Sequence, residues 1–255
     1  MLLEVKGLKK YFKTTKVQAV DEVSFSIGQA ETLGVTGESG SGKSTLAKLI
    51  MKLMPPDEGS IRFEGHDISQ SGKKELKSFR KKVQIVFQEP YHSLDPRMSV
   101  EDILKEPFIL NGQKDKEDLG RRAEELLRAV ELPGQFRFRL PRHLSGGECQ
   151  RVAIARAISL EPRLIICDEA VSSLDAIVQA QILNLFLKLQ REKGISYLFI
   201  SHDLKVVRHM SDHVIIMRDG QVCEAGPRDQ VFENPQHSYT KELLSKLPRA
   251  TNHNI

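Results

Sequence analysis

The chain has 255 residues, a formal charge of +4 and 28% charged side chains, long enough for one large domain or two modest ones with a substantial core. So mild and dispersed a positive excess, with 6% aromatic residues and no tryptophan, gives neither the charge nor the stacking platform that nucleic acid needs. Cys149, Cys167 and Cys223 are odd in number and lack metal-ligand spacing, which excludes a disulfide framework, and no apolar run approaches the roughly 18 residues that span a bilayer.

The first residues, Met-Leu-Leu-Glu-Val-Lys, read as an amphipathic strand and not as a signal peptide, so a cytosolic protein is expected. Glu31–Thr36 reads as a short strand, and Gly37 to Ser44, Gly-Glu-Ser-Gly-Ser-Gly-Lys-Ser, fits the G-x-x-x-x-G-K-[ST] phosphate loop. Glycines there let backbone N–H groups converge on phosphate oxygens, and the following helix N-terminus adds partial positive charge. Lys43 is expected to reach the terminal phosphates of a nucleoside triphosphate and Ser44 to ligate Mg²⁺. Leu46, Leu49, Ile50 and Leu53 form one helical stripe, with Pro55-Pro56 expected to end that helix.

Further along, Val83–Phe87 alternates as a strand, while Leu164–Asp168 and Tyr197–Ser201 are continuous apolar runs suited to strands buried on both faces. Gln88, Asp168, Glu169 and His202 stand at or just beyond the carboxyl ends of these strands, where α/β sheets collect ligands, and so predict one shared site. From Pro96 to Pro162 the patterning turns helical (Ala123, Leu126, Leu127, Val130), with a charged stretch, Lys114 to Arg122, that reads as a solvated face. Leu144-Ser145-Gly146-Gly147-Glu148 opens a helix in that region. Ser145 and Glu148 suffice for a capping box, yet two consecutive glycines also suit a second anion site, and the residues alone leave both open. Cys149 next to it and Cys167 read as packed thiols. Asp219-Gly220 marks a hairpin turn, and the polar, proline-punctuated tail from Arg228 reads as an appendage.

The phosphate loop, Leu-Ser-Gly-Gly-Glu, Leu164-Ile-Ile-Cys-Asp168-Glu169, Ser172-Ser-Leu-Asp175 and Ile200-Ser-His202-Asp203, in that order, resemble the nucleotide-binding domain of ABC transporters. The resemblance implies an α/β P-loop fold: a mostly parallel sheet, antiparallel N-terminal strands and a helical insert. Residues 1–95 and 163–227 would form the core, 96–162 the helical subdomain and 228–255 the C-terminal appendage. It also implies ATP and Mg²⁺. Tyr11 would stack on adenine, and Gly37, Glu38, Ser39, Gly40, Ser41, Gly42, Lys43, Ser44 and Thr45 would cradle the phosphates. Ser44, Gln88 and Asp168 would serve Mg²⁺, Glu169 would be the general base and His202 would contact the γ-phosphate. Ser145, Gly146, Gly147 and Glu148 would touch ATP held by an opposite subunit, with Asp175 communicating across the dimer. Glu148 replaces the commoner glutamine and Thr36 stands where a small residue is often found; neither change removes a catalytic group.

Phe87-Gln-Glu-Pro-Tyr-His-Ser-Leu-Asp-Pro-Arg97 and the tail Asn234 to Pro248 resemble the shorter ATPase of oligopeptide, dipeptide and nickel importers. That branch implies a heterodimer with a second ABC ATPase subunit, two membrane permease subunits and an extracytoplasmic solute-binding protein, with no nucleic acid. The chain is then expected peripherally at the cytoplasmic face of the cell membrane. Cys223 stands alone where some relatives cluster cysteines, so no iron–sulfur cluster is expected.

Overall fold

Strand β1 (Leu3–Phe12) opens the chain and β2 (Val17–Ile27) runs back beside it, with Leu3, Val5 and Leu8 buried. Two-residue alternation would put Gly7, not Leu8, on the inward row. Gly7, at φ 54°, lies within an irregularity of the β1–β2 register that returns Leu8 to the core. Residues 1–69 and 71–246 are described by this computed structural model. Next comes β3 (Thr32–Thr36), buried throughout, and then α1 (Lys43–Ile50).

Helix α1 places Leu46, Leu49 and Ile50 in the core, as their spacing predicts, but it stops five residues before Pro55, leaving Leu53 54% exposed. The stop comes from backbone closure. Lys52 takes the left-handed conformation, its N–H bonds the Leu49 carbonyl, and the Leu53 N–H bonds that of Lys48. This is a helix-ending motif usually built on glycine. Strands β4 (Glu58–Phe63) and β5 (His66–Asp67) complete an antiparallel sheet in the order β2-β1-β4-β5.

Helix α2 (Lys73–Lys82) leads into β6 (Val83–Phe87), at the edge of a second sheet. Its alternation does not set its burial. Val83 and Val86 are the buried pair, because both faces of this strand meet core. Short α3 (Pro90–Ser93), α4 (Val100–Leu110), α5 (Lys116–Ala129) and α6 (Gly146–Ile158) follow. Leu119, Ala123 and Leu127 bury one side of α5 while Asp118 pairs with Arg121 and Arg122 on the solvated side. Helix α6 is buried nearly all round, so its stripe is wider than Val152, Ala155 and Ile158.

Strand β7 (Leu164–Asp168), α7 (Ala176–Lys193), β8 (Ser196–Ile200), α8 (Leu204–Met210), β9 (His213–Arg218) and β10 (Gln221–Pro227) complete the core. The second sheet has the order β10-β9-β3-β8-β7-β6, parallel except for the β9–β10 hairpin. Asp219 and Gly220, both at positive φ, make that hairpin turn. Every residue of β3, β7 and β8 is buried, which explains their unbroken apolar runs. This is the α/β arrangement expected of a P-loop cassette.

The tail is more firmly seated than an appendage. Helices α9 (Arg228–Glu233) and α10 (Ser238–Ser245) bury Val231, Tyr239 and Leu243 in a cluster with Leu204, Val207, Val214 and Ile216. The end of the tail motif, Leu247 and Pro248, and the remainder to residue 255 lie outside the described residues.

Candidate functional site

The loop between β3 and α1 is set by glycines that nothing larger could replace. Gly37, at φ 150°, and Gly42, at φ 102°, would each put a Cβ 2.1 Å from a backbone oxygen, of Met217 and Ala19 respectively. Helix α1 begins with no side-chain cap and no acidic residue in its first turn, leaving its positive N-terminal pole to an anion. Lys43, buried beside it, bonds the Gly37 carbonyl at 2.8 Å, the Glu38 carbonyl at 2.7 Å and Ser41 Oγ at 3.2 Å. All three acceptors are neutral. Burial draws the Lys43 ammonium below its ordinary pKa, opposed by the charges of Glu169 and Asp168. A buried cation with only neutral contacts, at an uncapped helix start, is suited to phosphate.

Ser44 Oγ donates to Asp168 Oδ1 at 3.0 Å. Burial at the end of β7 raises the Asp168 carboxyl above its usual range; the Ser44 bond counters this, while the Glu169 charge adds to it. Lys48 and Lys43 act on it only through space. A buried carboxylate beside a hydroxyl forms a hard oxygen donor set that fits Mg²⁺.

Glu169 follows at φ 55°, an uncommon conformation for a residue with a side chain. Its N–H bonds the Ile200 carbonyl at 3.0 Å, and its carbonyl accepts from Ser172 N (3.1 Å) and Ser172 Oγ (2.9 Å). The twist aims the carboxylate at His202, whose N–H lies 3.1 Å from Oε1 and whose Nδ1 lies 2.9 Å from Oε2. A neutral imidazole in this pairing carries its proton on Nδ1, leaving Nε2 as an acceptor. Gln88 leaves β6 with its carbonyl accepting from Ser173 Oγ at 3.1 Å.

Most of these residues meet in one cleft of about 670 Å³; Asp168 and Ser41 stand behind its walls, bonded to Ser44 and Lys43 respectively. Its walls carry Gly37, Glu38, Ser39, Gly40, Gly42, Lys43, Ser44 and Thr45 from the loop, and Gln88, Glu169 and His202 from the strand ends. Tyr11 is not in these walls. It is 41% exposed on β1, its N–H donating to Asp57 Oδ2 at 2.6 Å. Nor do Ser145 to Glu148 line the cleft: Ser145 and Glu148 form the reciprocal capping box, at 3.3 and 2.7 Å. A Cβ at Gly147 would fall 2.4 Å from Val178 Cγ1 on α7, so a larger residue there would have to displace that valine. Asp175 caps α7 through the N–H groups of Ile177 and Val178. Gln150 Nε2 donates to the Ala170 carbonyl at 2.7 Å, tying α6 to the chain just past Glu169.

Sequence reasoning missed three contributors. Ala19 and Leu243 also line the cleft, and the Tyr239 hydroxyl accepts from the Glu38 N–H at 3.3 Å. Tyr239 and Leu243 stand four apart on one helical face, a periodicity that an eight-residue helix makes faint, and the tail's resemblance to importer ATPases does not place either at the cleft. Cys149 and Cys167 are packed: desolvation pushes the Cys149 thiol up to about 11 and the wholly buried Cys167 well above its ordinary value.

Residues 20–172 match the family described as ABC transporter. The oligopeptide transport ATP-binding protein AppF of Bacillus subtilis (strain 168) is 47% identical over 257 residues, 97% of this chain and 78% of AppF. The chain belongs to the ABC transporter family. This ABC ATPase is also 44% identical over 256 residues to the dipeptide transport ATP-binding protein DppF of Haemophilus influenzae, covering 97% of its own length and 78% of that relative's. Its fold matches the ATP-binding cassette MJ0796, solved as a dimer in a post-hydrolysis state with ADP and Pi, at TM-score 0.79 and 30% identity, covering 89% of this chain and 99% of that one. It is an ATPase subunit of a solute transporter. Among the described residues no helix is long and apolar enough to cross a membrane.

Proposed function

We propose that this ABC ATPase hydrolyses MgATP in the cleft between the phosphate loop and the Glu169–His202 pair to power import of oligopeptides or dipeptides. The observation that carries the hydrolytic half is the strained Glu169 carboxylate, held by His202 across from a buried Lys43. The cargo half rests on relatives named for oligopeptide and dipeptide transport that share 44–47% identity over 97% of the chain.

The chain's own residues divide the work. Loop amides and Lys43 bind and neutralise the phosphates, Lys43 giving up neutral acceptors for charged ones. The Glu169 carboxylate takes the proton of the attacking water, and His202, itself in the cleft wall, fixes that carboxylate through Nδ1. Gln88 orients that water from the third strand end. Ser44 and Asp168 would hold Mg²⁺, which when bound supplies positive charge against the phosphate oxygens.

Ser145, Gly146, Gly147 and Glu148 sit outside their own chain's cleft, and MJ0796 was solved as a nucleotide-bound dimer. Both support a composite site in which this turn and Asp175 serve the cleft of a second, non-identical ATPase subunit. ATP then favours the closed pair and hydrolysis releases it. Two permease subunits and a solute-binding protein complete the assembly, with the ATPase at the cytoplasmic face of the membrane. Uptake assays on a deletion strain test the cargo. Di- and oligopeptide uptake is expected to fall to background while Ni²⁺ uptake holds; the reverse pattern overturns the peptide assignment.

A further inference from the structure

Helix α10 reaches the phosphate loop from the far end of the chain. Tyr239, 3% exposed, is pinned by the Arg218 guanidinium 4.8 Å above its ring and accepts the Glu38 N–H across 201 positions of sequence. The helix is itself anchored. Glu224 on β10 accepts from the N–H groups of Gln236 (2.8 Å) and His237 (3.0 Å), and His237 Nδ1 caps the Tyr239 N–H at 3.2 Å. Glu38 is therefore held at both ends: its N–H by Tyr239, its carbonyl by Lys43 at 2.7 Å. Leu243, one turn further, joins the wall of the same cleft.

We propose that Tyr239 is a positioning residue for the nucleotide, fixing the second residue of the phosphate loop so that the cradle stands formed before ATP arrives. This rests on the assignment of the cleft to the nucleotide. When Lys43 turns from the Glu38 carbonyl to a phosphate, the Ser41 N–H (3.2 Å) stays on that carbonyl from within the loop, while the Tyr239 hydroxyl ties the Glu38 backbone to a separate, buried element of the fold. A loop already ordered loses less freedom on binding, so the contact strengthens nucleotide affinity without touching the reacting atoms. The neighbouring Lys246–Glu38 ion pair (3.3 Å) joins two half-exposed side chains and adds little.

The test compares the full-length wild type with Tyr239→Phe, which keeps the ring and its packing and removes only the acceptor, and with Lys246→Ala. In the nucleotide-free chain, amide exchange of peptides covering residues 34–46 is expected to quicken in Tyr239→Phe. The ADP dissociation constant by calorimetry and the KM for ATP are each expected to rise roughly two- to tenfold, the range for one hydrogen bond, with kcat within twofold. Lys246→Ala is expected to match the wild type in all three. Unchanged exchange and ADP affinity in Tyr239→Phe, or a loss of kcat at constant KM, overturns the proposal. Wild-type ADP affinity that survives Lys43→Ala overturns the assignment of the cleft, and the proposal with it.

Discussion

Replacing Glu169 by glutamine separates its chemical role from its structural one. The amide keeps the size of the side chain, its left-handed backbone and an oxygen to accept the His202 N–H now at 3.1 Å. It loses the charge, the bond from Nδ1 in its present form and all capacity to take a proton. The fold is expected to lose about 1 kcal/mol, the difference between a charged and a neutral hydrogen bond. A general base contributes about 10²–10⁴ in rate, or roughly 3–5 kcal/mol of barrier. Steady-state phosphate release by the assembled ATPase at saturating MgATP is therefore expected to fall at least about 100-fold, with ATP still bound in a filter or calorimetric assay. A fall of less than about tenfold would remove Glu169 as the base. Loss of ATP binding along with turnover would mean that its charge shapes the cleft and not the chemistry.

Gly147→Ala is expected to destabilise the chain by about 1–3 kcal/mol, because its Cβ meets Val178 Cγ1. Adding Val178→Ala should recover much of the lost Tm, and additive losses would show that the contact is not the cause. Asp168→Asn should stabilise the nucleotide-free chain at neutral pH while abolishing Mg²⁺-dependent turnover. The folded-state pKa of Asp168 is raised by burial, so its protonated form favours folding below the ordinary carboxylate pKa of about 4, and that contribution is lost as pH rises through the shifted value. The Tm advantage of the variant should thus shrink as pH falls toward 4; an advantage independent of pH would mean that the Asp168 charge is not its source.

The site was legible where backbone geometry forces residue choice. Gly37 and Gly42 admit no side chain, Lys43 and Ser44 have fixed places relative to them, and Asp168, Glu169 and His202 follow buried strands whose apolar runs stand out. What the sequence hid depends on contacts distant along the chain. The Tyr239–Glu38 bond spans 201 positions, and no local period announces it. The end of α1 was hidden because Lys52 takes a conformation usually signalled by glycine. Val86 on β6 was obscured because alternation assumes one wet face, and here both faces are covered. The alternatives at Ser145 were undecidable from one chain, since the capping box is formed whatever the glycines also serve.

Gln150 gives the molecule a mechanical property. Its amide is wholly buried, and among the described residues its oxygen has no partner, so the side chain is held by the 2.7 Å bond to Ala170. Tilting α6 away would strand that amide in the interior at about 1–3 kcal/mol. Carrying Ala170 along instead would drag the adjoining Glu169. Any force that turns this helix is thus geared directly to the carboxylate one residue away.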